Sequence, residues 1–589
     1  MCGVAGIYAT DNAPPDGAVL DRLEKALAHR GPDGRGRHQR AGVAMVHTRL
    51  AIIDLETGDQ PFASGQAVLV ANGEIYNDPE LRGGLEGAAF ATRSDCESAL
   101  HLYLRHGIDF AERLRGMYAI AIHDGAHDGG RDRLVLARDP FGIKPLYYAE
   151  TKLGFVFASE PQALFKAGLI DPQLRKGAAN ELLQLQFTCG AESAFQGVSR
   201  VLPGETLVVE GGRIIERRQR PALPQEGPQE WSEAEAFERL NQALVDSVTV
   251  HQRSDVPYGM FLSGGVDSSA LLALMRDLND APVQAFTAGF PGSGAPDERG
   301  HAEAVAKAAG ARFEAVAFTE DDFWTLLPQI AAAMDDPAAD YALLPTYKLA
   351  RLAAERGLKV ILTGEGGDEL FGGYGRYRRA MRAKLLGGRP MRASGAFDGL
   401  GVLRDETDAW RNGVAAAEKA EDLAGRSRLQ VCQAVDCADW LPHDLLAKLD
   451  RCLMAHGVEG RVPFLDASVA EIAFRLPDKL KIKGGAGKWL LRKWLEDKLP
   501  EAQPFSKKRG FTVPVAGWIA AKGQDLGPLV AKQPCVQALC RPGAVETLIA
   551  DPGAKAGKAA WNLLFYALWH KIHIDNAPAG ANVFETLSS

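Results

Sequence analysis

Short apolar or alternating runs, each broken by Gly, Asp or Asn, fill roughly the first 220 residues. They are AGVAMVHTRLAIID (41–54), AVLVANGEIYN (67–77), GMYAIAIHD (116–124), RLVLARD (133–139) and GFVFASE (154–160). Their spacing predicts strands. One helical stretch, DCESALHLYLRHG (95–107), lies among them. This part therefore reads as α+β, with sheets that need helical cover.

The period is lost at RRQRPALPQEGPQE (217–230), rich in Pro and charge, which reads as a linker. Ser232 with Glu235 three residues on then predicts a capping box, and Phe237, Leu240, Leu244 and Val248 follow at helical spacing. From 256 the rhythm alternates. VPYGMFLS, VQAFTAGF, RFEAVAFT and LKVILTGEG predict strands, with helical segments such as HAEAVAKAAG and PTYKLARLAAERG between them. Strand–helix alternation predicts a parallel, doubly wound sheet. Beyond about 375 the pattern is largely helical to the end. The division expected is residues 2–216, a linker at 217–230, and 231–589.

Composition narrows the class only a little. The 589 residues are 46% hydrophobic and 24% charged, ordinary for a globular protein. Lys and Arg number 67 against 75 Asp and Glu, a net charge of −8, which argues against nucleic acid as a partner. No apolar run is long enough for a membrane helix and no signal peptide is evident, so a cytoplasmic protein is expected. Eight cysteines include no CxxC pair, which argues against a zinc site.

FLSGGVDSS (261–269) is the strongest local signal. A strand runs into Ser263, Gly264 and Gly265, and a helix opens at Asp267, Ser268 and Ser269. Glycines let backbone approach a ligand, and a helix start offers free N–H groups to an anion. On residues alone this is either a phosphate cradle or an ordinary capped turn. SGGxDSS resembles the PP-loop of ATP pyrophosphatases, which split ATP between the α and β phosphates. LTGEGGDELFGGY (362–374) brings Glu365, Asp368 and Glu369 to the end of another strand. Acids face a pyrophosphate only with Mg²⁺ between, which makes Asp267 and Asp368 the metal candidates. In GGAGKWLLRKWL (484–495), Lys488 is expected on an amphipathic helix.

Cys2 directly follows Met1. Removal of Met1 would give Cys2 an α-amino group, whose pKa near 7.7–8.0 makes it a general base for its own thiol. Nucleophile and base then share one residue. HTRLAIID (47–54), ANGEIYN (71–77) and RSDCES (93–98) add groups suited to an amino-acid substrate: Arg49 for a carboxylate, Asp95 for an ammonium, and the Asn72 side chain with the Gly73 N–H as an oxyanion hole. Spacing does not force these assignments.

The blocks MCGVAGIY, HRGPDG, RLAIID, NGEIYN, SDCE and RDPFGIKPLYY resemble class II glutamine amidotransferase domains. Together with SGGVDSS, GEGGDE and EGRVPFLD they make nearly the whole chain similar to the bacterial B-type, glutamine-hydrolysing asparagine synthetases. The resemblance implies an α+β N-terminal nucleophile domain (an αββα sandwich) ahead of the α/β nucleotide domain. It implies glutamine hydrolysis at Cys2 with Asn72 and Gly73 as oxyanion donors, and glutamine held by Arg49, Leu50, Ile52, Glu74 and Asp95. It implies ATP as a substrate at Leu262, Ser263, Gly264, Ala288, Thr363 and Gly364, an acid at Glu365 that serves the acyl-adenylate, and Lys488 at the reacting phosphate or the amination step. Ammonia would pass internally between the sites, and RVPFLD (461–466) would border its path, although Val462, Phe464 and Leu465 read more simply as core. A homodimer is a family-level expectation. The segment MDDPAADYALLPTYKLA (334–350) departs from the Thr/Arg/Ser-rich stretch of the best-known bacterial enzyme. The acceptor is thus aspartate or another acid, on a peptide or a polysaccharide.

Overall fold

Two six-stranded sheets form the N-terminal part. In the computed structural model, which describes residues 2–126, 131–292, 297–506, 513–551 and 553–589, the first sheet holds β1 (Gly3–Ala9), β2 (Gly34–Arg40), β3 (Val43–Arg49), β8 (Tyr147–Glu150), β9 (Gly154–Ala158) and β10 (Ser199–Arg200) in the order β10-β8-β9-β1-β3-β2. The second holds β4 (Phe62–Ser64), β5 (Ala67–Ile75), β6 (Gly116–Ala126), β7 (Arg131–Arg138), β11 (Glu205–Glu210) and β12 (Arg213–Gln219) in the order β12-β11-β7-β6-β5-β4. Neighbouring strands in both run antiparallel. Val4, Tyr8, Met45 and Phe157 of one sheet pack with Val70, Ala119, Leu136 and Leu207 of the other. On the outer face of the first sheet, Ala5, Ile7, Ala44 and Val156 meet α1 (Gly17–Leu27) and α3 (Pro161–Lys166). On the outer face of the second, Leu69, Ala71, Ile120 and Val135 meet α2 (Glu97–His106). Alternating residues thus feed two different cores, which is why these strands are apolar on both faces rather than half polar.

β12 runs on to Gln219, and α4 (Glu233–His251) opens after Ser232. Ser232 Oγ accepts from the Glu235 N–H at 3.2 Å, but the box is only half made, because the Glu235 carboxylate turns to Arg239 at 2.9 Å. The second sheet system is parallel: β13 (Tyr258–Phe261), β14 (Gln284–Gly289), β15 (Arg312–Ala317), β16 (Val360–Leu362) and β17 (Glu459–Arg461), in the order β15-β14-β13-β16-β17. The first four match the apolar runs. β17 is a correction, since EGRVPFLD falls in the stretch read as helical, yet its first three residues pair with β16. Charged Glu459 and Arg461 hid the strand. The order reverses at β13, which has β14 on one side and β16 on the other. Ligand crevices of open parallel sheets lie at such a point, off the carboxyl ends of the strands. Helices α5 (Val266–Leu278), α6 (Leu343–Glu355), α7 (Leu446–Met454) and α8 (Trp489–Lys498) pack around this sheet. Among the described residues no helix is long and apolar enough to cross a membrane.

Candidate active site

The loop after β13 and the loop after β16 enclose a cavity of about 310 Å³ at the reversal point. Leu262, Ser263, Gly265, Asp267, Ser268, Ala288, Thr363, Gly364, Glu365 and Asp368 line it. The Ser263 N–H donates to Ser268 Oγ at 3.2 Å, and the Gly265 N–H to Ser263 Oγ at 3.2 Å, so the serines fix the turn. Gly264 sits at φ +72° and a Cβ there would come within 2.9 Å of the His301 ring. It shapes the turn but does not line the cavity. Nor does Ser269, which is fully buried in α5 with its hydroxyl unpartnered. The Thr363 hydroxyl is also buried without a partner, but at the cavity wall.

Lys488 is not on a helix face as expected. It immediately precedes α8, at φ +59°. A non-glycine residue in that region costs of order 1–3 kcal/mol and persists where surrounding contacts fix it. The contacts here are the carboxylates of Asp267 and, at 2.7 Å, Asp368. Burial lowers the Lys488 pKa, but the two carboxylates outweigh it and hold the ammonium well above its ordinary range. The two metal candidates therefore do converge, with a lysine between them. Glu365 pairs at 3.3 Å with Lys448 of α7, which also meets Asp340 at 3.2 Å.

Sequence reasoning missed Lys448. The signal was present in LAKLDRCLM (446–454), an apolar helix whose Lys448, Asp450 and Arg451 are all buried. It also missed Tyr374, whose hydroxyl donates to Glu369 at 2.7 Å at the cavity edge. From the divergent segment 334–350, Ala342, Pro345, Thr346 and Leu349 line the cavity, while Asp335 and Asp336 anchor Arg451 and Arg200, each at 2.7 Å.

The second site is built where β1 meets β5. The Cys2 N–H donates to Asn72 Oδ1 at 2.9 Å, and Asn72 Nδ2 is buried with no hydrogen-bond partner. β4 covers β5 only over Ala67–Leu69. Along the uncovered edge, the Ala71 N–H donates to Gln60 Oε1 and the Ile75 N–H to Asp95 Oδ2. Strand N–H groups two apart point the same way, so the Gly73 N–H projects from this edge between them. Burial pushes the Cys2 thiol up, against the pull of the Leu50 backbone amide and Arg49. Arg49 is held by Asp59 at 2.8 Å and by backbone carbonyls. The Leu50 and Ile52 side chains are core, so only their backbone is free to meet a ligand. Burial above all, and Asp78, push the Asp95 carboxyl up to about 6, against the Ile75 N–H and Arg253. Met1 lies outside the described residues.

A buried ionic seam joins the sites. Arg461 of β17 meets Glu459 at 2.6 Å and Glu74 at 3.2 Å, and its backbone carbonyl accepts from the Thr363 N–H at 2.8 Å. Arg30 donates to the Cys2 carbonyl at 3.1 Å, to Glu160 at 2.7 Å and to Asp450 at 2.8 Å. Val462, Phe464 and Leu465 are core, as their sequence suggested.

Two family models match the chain: a glutamine amidotransferase domain over residues 1–219 and asparagine synthase over 239–571. The chain thus joins an amidotransferase half to a synthetase half. It belongs to the asparagine synthase family. It is 32% identical to asparagine synthetase [glutamine-hydrolyzing] 1 of Bacillus subtilis, over 98% of this chain and 97% of that protein. It is 33% identical to a putative asparagine synthetase [glutamine-hydrolyzing] of Mycobacterium bovis, over 98% of both. It is 29% identical to asparagine synthetase B [glutamine-hydrolyzing] of Escherichia coli, over 88% of this chain and 83% of that protein.

Proposed function

We propose that the protein makes asparagine from aspartate, with glutamine as nitrogen donor and ATP as the activating substrate. Two catalytic modules of the expected kinds, in one chain and joined by a buried seam, carry this reading. The helix, sheet, sheet, helix layering is the N-terminal nucleophile fold, and Cys2 is its nucleophile once Met1 is removed. A thiol whose pKa is raised by burial does not ionise unaided at neutral pH, so it needs a base, and the Cys2 amine is the one at hand. Sulfur attacks the glutamine side-chain carbonyl. The oxyanion falls to Asn72 Nδ2 and the Gly73 N–H. Collapse expels ammonia and leaves a thioester that water cleaves to glutamate. Arg49 takes the substrate carboxylate, and Asp95 with Glu74 takes its ammonium.

At the other site the aspartate side-chain carboxylate attacks the α phosphorus of ATP, and pyrophosphate leaves. Ammonia then attacks the acyl-AMP, giving asparagine and AMP. The serines and backbone amides of the loop after β13 hold phosphate oxygens, and Thr363 and Ala288 hold the remainder of the nucleotide. Lys488 meets the charge that develops on the leaving pyrophosphate. Glu365, steadied by Lys448, takes a proton from the attacking ammonia. The donor set suits Mg²⁺, which commonly takes one or two protein carboxylates plus phosphate oxygens. Asp267 and Asp368 would hold it, and it would supply further neutralisation of the pyrophosphate. Both sites need ammonia kept unprotonated and dry, which the buried seam between them favours.

The test is to supply ATP, aspartate and either glutamine or ammonium. Wild type should give asparagine, AMP and pyrophosphate from both nitrogen sources, and Cys2→Ala only from ammonium. Intact mass should show active protein beginning at Cys2. Formation of ADP rather than AMP, or full activity with Met1 retained, would sink the reading.

A further inference from the structure

The helical part carries another cavity, of about 510 Å³, whose charged lining is Arg376, Arg379, Arg389, Arg392 and Lys558. Among the described residues no acidic side chain lines it. Beneath it lies the fully buried Asp436, which takes Arg376 at 2.6 Å and Arg392 at 3.3 Å. Asp436, together with the buried Asp444 that faces Arg392 and Lys558, thus stands under five cations. Arg379, Arg389 and Lys558 make no ion pair among the described residues. Arg392 and Arg376 are held in place by more than charge. The Arg392 guanidinium lies 4.0 Å from the centre of the Trp440 ring, and that of Arg376 3.6 Å from Tyr374.

Like charges gathered around a concave wall repel one another, and while Arg376 and Arg392 answer the buried Asp436, no ion pair among the described residues calls for Arg379, Arg389 or Lys558 there. Guanidinium groups offer planar pairs of donors that match carboxylate and phosphate oxygens. The volume is that of a small-molecule site. We propose that this cavity is a binding site, separate from the nucleotide cavity, for a small polyanion carrying two or more phosphate or carboxylate groups. Arg376 and Arg392 form its rigid floor, and Arg379, Arg389 and Lys558 close over the ligand. The site shares a wall with the nucleotide cavity. The Tyr374 ring that Arg376 rests on belongs to that cavity's lining, as does the Glu369 that Tyr374 bonds.

Isothermal calorimetry on the full chain tests this, with the nucleotide cavity filled by a non-hydrolysable ATP analogue and Mg²⁺. Pyrophosphate and citrate are titrated separately. Binding of at least one, at one site per chain, is expected. The affinity should fall at least tenfold in Arg389→Glu/Lys558→Glu and persist in Lys488→Met. Arg389→Gln/Lys558→Gln, a milder pair, should give a smaller loss in the same direction. Preference for pyrophosphate assigns a phosphate-bearing ligand, and preference for citrate a polycarboxylate. No binding of either anion overturns the proposal, as does binding that survives both double substitutions. Binding lost in Lys488→Met would place the anion in the nucleotide cavity instead, and also overturns it.

Discussion

Asn72 plays two parts that one substitution can separate. Its Oδ1 accepts from the Cys2 N–H at 2.9 Å, while its Nδ2 is buried and unpartnered. A buried donor left unmade costs about 1–3 kcal/mol, a cost recovered only when an acceptor arrives. The transition-state oxyanion is that acceptor. Loss of one oxyanion-hole donor costs about 2.7–4 kcal/mol, or about 10²–10³ in kcat. Asn72→Asp keeps an oxygen for the Cys2 N–H and removes the donor. It should lower glutamine hydrolysis by about 10²–10³ or more, since a carboxylate also repels the oxyanion. Asn72→Ala loses both parts. Its stability cost should stay near 1 kcal/mol, because the orphan donor goes with the lost hydrogen bond. The assay is glutamate release, with pyrophosphate release from ATP, aspartate and ammonium as the control that must stay intact. Glutaminase activity within tenfold of wild type in Asn72→Asp would refute the assignment.

Three further outcomes follow from the geometry. The Cys2 amine, with a reference pKa near 7.7–8.0, gives kcat/KM for glutamine an acid limb of about tenfold per unit. Asp95, with its carboxyl pushed up to about 6, is protonated below that pH and cannot then hold the substrate ammonium, so the limb should steepen to about a hundredfold per unit below about 6. Asp95→Asn should remove that steepening and leave the single limb of the amine, and an unchanged profile would contradict the role. Arg461→Met strands Glu74 and Glu459 in the seam, so chemical denaturation should show a loss of about 3–5 kcal/mol, and a loss below about 1 would mean the seam is not held by charge. Lys488→Met leaves Asp267 and Asp368 facing each other and should cut pyrophosphate formation by about 10²–10³ while glutamate release continues. Equal loss of both activities would point to a folding defect instead.

Much of this architecture was legible in the chain. The runs that became β3, β5, β6, β7, β9 and β13–β16 stood out because burial on both faces makes strands continuously apolar, and Gly, Asp and Asn mark their ends. The glycines and serines after β13 announced the turn that the structure forms. β17 was not legible, because its side chains are charged and serve an ionic seam rather than a core. The φ of Lys488 was hidden too, since a left-handed backbone at a lysine has no local signal and is fixed by carboxylates 120 or more residues away. Lys448 comes to the cavity from a helix distant in sequence from both loops, whereas Tyr374 closes the stretch 362–374 itself and carried no signal there beyond that of an ordinary aromatic. The acceptor segment was the reverse case. Its divergence was visible, but not that Asp335 and Asp336 would turn away to bind arginines.

The account rests on nitrogen made at one site being used at the other without escaping. Supply glutamine labelled with heavy nitrogen at its side-chain amide, with ATP, aspartate and an excess of unlabelled ammonium, and weigh the asparagine formed. Asparagine that keeps most of the heavy label despite the excess is the predicted result. Asparagine carrying the isotope ratio of the bulk ammonium pool would contradict it.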